Sequence, residues 1–440
     1  MIPLEWWQFL ILFFGCFLTL LFLGVPVAFA FLAINCITVI LIMGLQGGIN
    51  QLVLSAYDVV TQFSLTPIPL FILMGALLYH SGMAMKALDA LSVLLGKLPG
   101  RLSILSVVSG TLFATMSGSN IANTSMLGSV LLPSMRERGY HKSVAIGPIM
   151  ASGSLAMIIP PSAVAVMLGS IGKISIGDLL IAGIVPGVTM ALFFLLYILI
   201  RCWLNPELAP AYDVEQISGR RRFKVLAIQI LPLFLLIIVV IGSIFLGIAT
   251  PSESAALGAL GTVLLLACYR MVNLTVLRKA FFNTLEVSGM LMLIIATSAG
   301  FSQLLSFTGA TREMLEIVTD FSLSGYVIVI LMLSIVLIMG MFLEQTSIMM
   351  ITLPLFVPII TMLGFDPVWF GIMYLICLDL GNLTPPVGIN LFIMKSVAPD
   401  DITLVDISKS ATPYIILELA VVFIIFIYPQ FALWLPNLIS

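Results

Sequence analysis

From residue 4 to residue 45 the chain is apolar with almost no interruption, and similar runs recur to its end. A helix needs about 20 apolar residues to cross a bilayer. Runs of that kind, bounded by Gly, Pro or charge, predict helices over 4–22, 26–44, 64–80, 143–172, 178–202, 225–247, 252–270, 286–306, 367–394 and 410–435. Gly24-Val25-Pro26 separates the first pair, because proline cannot continue the helix before it. Residues 83–98 and 310–322 are amphipathic and are expected to lie along the interfaces. Two other apolar stretches, 101–136 and 325–362, contain polar centres. Met1 to Trp7 holds no Lys or Arg and apolar sequence continues to Leu45, so retained helices are expected rather than a cleaved leader.

Composition agrees. Hydrophobic residues make up 61% of the 440 and charged residues 9%, against about 25% charged in a soluble domain. So few charges cannot cover a water-soluble globule. This excludes a soluble enzyme, a nucleic-acid binder and a disordered chain, and leaves an all-α polytopic protein of the lipid bilayer. Net charge is −2, so there is no basic field for nucleic acid. The five cysteines share no CxxC spacing, and the histidines His80 and His141 are far apart, so neither a disulfide framework nor a metal cluster is indicated. The basic groups Lys86, Lys97, Arg101, Arg136, Arg138, Lys142, Arg220 to Arg222, Lys224, Arg270, Arg278, Lys279, Lys395 and Lys409 all fall on one side of these spans; only Lys173 and Arg312 fall opposite. By the positive-inside rule that side faces the cytoplasm. The expected location is therefore a bacterial or archaeal cytoplasmic (inner) membrane, with both termini outside.

The two halves align at an offset of 225 residues without a gap. Pro26 matches Pro251, Gly75 matches Gly300, Gly100 matches Gly325, Pro133 matches Pro358, Gly139 matches Gly364, and Pro160-Pro161 matches Pro385-Pro386. We read residues 1–224 and 225–440 as repeats. Each then has five crossings plus a hairpin, and an odd number of crossings makes two copies insert with opposite orientation. Inverted repeats mark secondary transporters, with the site at the midplane where the halves meet.

Within 101–138 the centre, Ser117 to Thr124, is polar. It cannot face lipid, where an unpaired backbone group costs several kcal/mol. Flanking arms of 13–16 residues would reach roughly 20–24 Å at 1.5 Å per residue, short of a ~30 Å hydrocarbon core. A re-entrant hairpin fits; two short crossing helices joined by an outer polar loop are the rival. The copy, 325–364, is centred on Glu344-Gln345-Thr346-Ser347. After each hairpin a helix is broken by Pro-Pro, over 143–172 and over 367–394, 21 residues beyond Gly139 and Gly364 respectively. Two prolines withdraw two donors, so the helix unwinds there. Unwound carbonyls beside Ser, Thr and Asn oxygens suit Na⁺, and half-helix N-termini suit a carboxylate. Ser119, Asn120, Ser152 and Gly153 are therefore assigned to one Na⁺ site. Thr346, Asn382, Thr384 and Gly388 are assigned to another. The neighbouring polar positions Ser117, Asn123, Thr124, Ser154, Ser347 and Asn390 are assigned to substrate. Glu286, Glu344, Asp379 and Glu418 are ionisable groups in or near spans, hence functional candidates without a stated role. A GxxxxGK[ST] phosphate loop is absent, as is HExxH, so neither ATP hydrolysis nor an intramembrane enzyme is indicated.

These motifs resemble a known family. Ser117-Gly118-Ser119, Ala122-Asn123-Thr124, Gly128, Pro133 and Gly139-Tyr140 are similar to the first hairpin of the large, DctM-like membrane subunit of tripartite ATP-independent periplasmic (TRAP) transporters. Ser152-Gly153-Ser154 to Ile159-Pro160-Pro161-Ser162 resembles its first broken helix. Asp366-Pro367-Val368-Trp369-Phe370-Gly371 and Thr384-Pro385-Pro386-Val387-Gly388 resemble its second-half motifs, and Gly24-Val25-Pro26-Val27-Ala28 its early helix. The resemblance implies an elevator-type fold and Na⁺-coupled uptake of an organic acid, a C4-dicarboxylate or similar carboxylate. It also implies two partners: a small four-helix membrane subunit, expected here as a separate chain, and a periplasmic substrate-binding protein. A stand-alone Na⁺/carboxylate symporter of the same architecture is the alternative.

Overall fold

The computed structural model describes residues 6–96, 98–117, 120–210, 218–310, 312–313, 316 and 324–438, with backbone alone at 114–117 and 222. Among the described residues every regular element is helical. The first half runs α1 (Trp6–Phe22), α2 (Val27–Met43), α3 (Leu45–Val60), α4 (Pro67–His80), α5 (Met83–Leu95), α6 (Arg101–Ser117), α7 (Asn120–Glu137), α8 (Lys142–Ile158), α9 (Ala163–Gly172), α10 (Ile176–Ala182) and α11 (Ile184–Leu204). The second runs α12 (Gly219–Val225), α13 (Leu231–Phe245), α14 (Pro251–Cys268), α15 (Leu274–Phe307), α16 (Gly325–Gly340), α17 (Gln345–Met362), α18 (Pro367–Leu383), α19 (Ile389–Val397), α20 (Leu404–Ile427) and α21 (Gln430–Leu433).

Helix boundaries keep the 225-residue register. Adding 225 to the bounds of α7 and α8 gives 345–362 and 367–383, the bounds observed for α17 and α18. Each hairpin leads into its broken helix through a tight glycine turn at the equivalent position, Gly139 and Gly364, both with φ +75°. The halves differ where α3 and α4 are separate helices, whereas α15 runs unbroken for 34 residues. Seven of the described helices are long and apolar enough to cross a membrane, or eight if the bent pair α8 and α9 counts as one span.

Three expectations change. No span was expected over 45–60, yet α3 fills it. Gly47-Gly48 argues against a helix locally, but Gly48 lets α3 close on α2: a Cβ there would lie 2.7 Å from the Val39 carbonyl oxygen. α15 begins twelve residues before the predicted 286, with Asn273 capping it through a bond from the Val276 N–H at 2.8 Å. The first hairpin's arms have 17 and 18 residues, roughly 26 and 27 Å at 1.5 Å per residue, longer than expected because only 118–119 separate them. The amphipathic segment at 83–98 is helical as α5; most of 310–322 lies outside the described residues.

Helices from both halves interleave into two packed groups. In one, α2, α3 and α4 surround α15 and α14 packs on α4, with Phe13 stacked on Phe301 at 4.3 Å and Phe17 against Phe31 at 4.6 Å. In the other, α6, α7, α11 and α20 surround α8, while α16 and α20 pack on α18. Arg136–Asp401 (2.8 Å) and Lys142–Asp406 (3.0 Å) join the halves at the basic end of this second group. Both pairs are exposed, so each adds little stability.

α16 lies close against α18, where a Cβ on Gly340 would stand 2.8 Å from the Gly381 Cα. Gly381→Ala is expected to cost about 1–3 kcal/mol through overpacking, lowering Tm in a thermal-shift measurement. Gly242→Ala, whose Cβ would meet nothing within 4 Å, is the control and should not lower it.

Candidate functional site

The breaks are shaped by what the prolines take away. α8 stops at Ile158, and Pro160 and Pro161 offer no N–H to continue it. Ser162 bridges the gap: its hydroxyl donates to the Met157 carbonyl (2.8 Å) and accepts from the Ala165 N–H (3.2 Å), capping α9. α9 leaves at 43° to α8. α18 stops at Leu383, and the Thr384 hydroxyl donates back to the Leu380 carbonyl at 2.6 Å. Gly388 then takes φ +52°, a conformation glycine adopts without a Cβ penalty. The carbonyls of Thr384 and Asn382 crowd round it, 2.8 and 3.0 Å from where a Cβ would stand.

Each hairpin tip reaches a break. The Gly388 N–H donates to the Met341 carbonyl at the tip between α16 and α17, at 2.9 Å. Gln345, the counterpart of Asn120 at +225, contacts the Met157 sulfur at 3.3 Å. Asn120, which opens α7, is the hub. Its amide donates to Asp379 Oδ1, and its Oδ1 accepts from Asn390 Nδ2 (2.9 Å) and Thr124 Oγ1 (3.3 Å). One side chain so ties the first hairpin to both arms of the second broken helix. Gly153 makes room for it, since a Cβ there would strike Asn120 Oδ1. Asn123 Nδ2 donates to the Ser152 carbonyl at 3.1 Å and the Gly110 carbonyl at 3.3 Å. Tips that meet breaks inside the molecule belong to re-entrant hairpins.

A cavity of about 420 Å³ opens between the two helix groups. Of the expected site residues, Asn120, Thr346, Asn382 and Asn390 line it; Asn123, Thr124, Ser152, Gly153, Ser154, Ser347, Thr384 and Gly388 do not. Ser119 and the side chain of Ser117 lie outside the described residues. Several of these residues carry buried oxygens without a partner: Asn123 Oδ1, Ser154 Oγ, Ser347 Oγ, Asn382 Oδ1 and Asn390 Oδ1, together with Asp379 Oδ2. Buried polar atoms ordinarily find partners, so this concentration of hard acceptors fits a small cation. Among the described residues no group of three or more His, Cys, Asp or Glu exists.

Sequence reasoning left Glu344 without a role. It caps α17: Oε2 accepts from the Thr346 N–H (3.0 Å) and Oε1 from its hydroxyl (2.9 Å). Asp379, flagged without a role, stands at Ser154 + 225, and the two equivalent positions touch. That offset was the available signal. The opposite cavity wall, with His80 and Asn283 from α4 and α15, carried no motif.

The model of the "Tripartite ATP-independent periplasmic transporter, DctM component" family matches residues 14–431. The chain is 30% identical to the C4-dicarboxylate TRAP transporter large permease protein DctM of Rhodobacter capsulatus, over 97% of this chain and 98% of that protein. It is 28% identical to the sialic acid TRAP transporter large permease protein SiaM of Vibrio cholerae, over 96% and 97%. It is also 28% identical to the ectoine TRAP transporter large permease protein TeaC of Halomonas elongata, over 95% and 97%. Its fold is that of the YdaH transporter of Alcanivorax borkumensis (TM-score 0.66, 14% identity, 89% of this chain and 90% of that one). The MtrF structure of Neisseria gonorrhoeae shares it (TM-score 0.63, 16% identity, 89% and 84%). Its relatives are transporter permeases rather than enzymes, and the chain belongs to the DctM family of TRAP transporter large permease subunits.

Proposed function

We propose that this permease imports an organic acid, a C4-dicarboxylate or a similar carboxylate, using a Na⁺ gradient. A periplasmic binding protein delivers the substrate, and a small membrane subunit completes the complex. Na⁺ takes the oxygens of the tips and breaks, while the substrate occupies the cavity. The observation that carries the reading is the cluster of unpartnered buried oxygens where both tips meet both breaks. Relatives with different cargoes, C4-dicarboxylate, sialic acid and ectoine in their names, show why the substrate is given only as a class. Uptake by proteoliposomes holding the full complex should rise with an inward Na⁺ gradient and stop when it is collapsed. Uptake indifferent to the gradient refutes the coupling.

Access alternates, in this reading, by sliding of the helix group built on α8 and α18 against the group built on α15. Sliding keeps the tips, breaks and bound ions together, so their polar groups stay paired throughout. Tyr79 of α4 and Met126 of α7 both line this cavity and the smaller pocket that shares its wall. A disulfide between Tyr79→Cys and Met126→Cys should abolish uptake while leaving Na⁺ binding intact. Undiminished uptake in a fully cross-linked protein rules out the slide.

The orientation has its own test. In a background without native cysteines, Ser218→Cys should be labelled from the cytoplasmic face and Asn437→Cys from the outer face. Labelling of both from one face overturns the odd crossing number and the inverted arrangement with it.

A further inference from the structure

Behind the cavity wall, α8, α18 and α20 pack against one another. Ser154, Asp379 and Glu418, one from each helix, meet there, and each is 0% exposed. Ser154 Oγ lies against both carboxyl groups but forms an aligned hydrogen bond with neither. Asp379 Oδ2 and both Glu418 oxygens also lack a partner. The other Asp379 oxygen is held by Asn120. None of the three side chains lines the central cavity.

Among the described residues no basic side chain reaches this junction. Lys142, at the start of α8, is paired with Asp406 and is twelve residues from Ser154, roughly 18 Å along the helix. Lys409, exposed on α20, is nine residues from Glu418, roughly 14 Å. α18 contains no Lys or Arg, and Arg201 of the neighbouring α11 is exposed. Two buried carboxyl groups without a counter-charge are costly anywhere and more so at membrane depth.

We propose that, within the cluster of acceptor oxygens described above, Ser154, Asp379 and Glu418 form a buried site for one Na⁺, behind Asn120 of the first tip and outside the substrate cavity. This rests on the Na⁺-coupled reading above. The donors are hard oxygens, suited to a hard cation. A proton shared by the two carboxyl groups, with the Ser154 hydroxyl donating beside it, is the rival occupant; the Na⁺ count set against the pH dependence of binding separates the two. The site spans the contact between equivalent positions of the halves, a hydroxyl from the first and a carboxylate from the second. It also has a line to the transport site. An ion here fixes Asp379, Asp379 holds Asn120, and Asn120 holds Asn390 in the cavity wall. Filling the buried site therefore orders the wall that the substrate meets.

The test is Na⁺ binding to the purified full chain in nanodiscs, followed by calorimetry and radioactive sodium. Glu418→Gln should bind one Na⁺ fewer than the wild type. Ser154→Ala should bind the same number, with one site weakened about tenfold, the low end for losing a group that supports a metal site. Without Na⁺, Glu418→Gln should melt no lower than the wild type, because the uncompensated charge is gone, and it should lose part of the Tm rise that Na⁺ produces. Unchanged stoichiometry and affinity in both variants overturn the site. So does a Na⁺ count that stays intact while a pH dependence of binding disappears, since the occupant is then a proton. If the wild type binds no Na⁺, the coupling reading itself falls. Should Glu418→Gln not fold, Ser154→Ala decides alone.

Discussion

A hydrocarbon interior cannot hydrogen-bond a backbone group, and everything distinctive about this chain follows from breaking helices in such a place. Each Pro-Pro doublet withdraws two donors and frees the carbonyls one turn earlier. Those groups must be met by protein. The hairpins meet them: the Gly388 N–H finds the Met341 carbonyl of the second tip, and Asn120 of the first tip bonds both arms of the second broken helix. Ser162 and Thr384 repair part of the damage locally. The site proposed here for transport is the remainder, the oxygens that no protein donor reaches.

This explains the glycines around the centre better than flexibility does. Gly110, Gly153, Gly340 and Gly381 all stand where a Cβ would run into a neighbouring helix or tip. Close approach lets short side chains such as Ser and Asn bridge between elements. Longer ones would hold the tips away and leave unwound backbone facing a gap. The first packed group is built differently, from aromatic stacking of Phe13, Phe17, Phe31 and Phe301, and carries few polar ties, such as Asn35 to the Thr297 carbonyl at 2.6 Å. An apolar frame beside a polar, glycine-packed body is compatible with the sliding proposed above.

The ionisable groups sort by the same logic. Glu344 is spent on the first turn of α17, where the helix N-terminus satisfies it. Asp379 and Glu418 have no such terminus within reach. Glu344 stands at a helix start and the other two lie inside helices, and that difference separates a cap from a candidate ion site.

By itself the sequence determined the elements that rest on local chemistry. Apolar runs set most spans, the proline doublets set both breaks, and the 225-residue register relates the observed bounds of α7 and α8 to those of α17 and α18, because these depend on what neighbouring positions can or cannot bond. Most of the oxygens at the tips and breaks could be named on the same ground. The tertiary structure alone decided which of them share a site. α3 was hidden because Gly47-Gly48 weighs against helix until α2 is there to be approached. Glu418 was one ionisable group among several until the packing of three helices, drawn from both halves, set it beside Ser154 and Asp379. Contacts between residues more than two hundred positions apart leave no local pattern, since burial depends on which helix faces which.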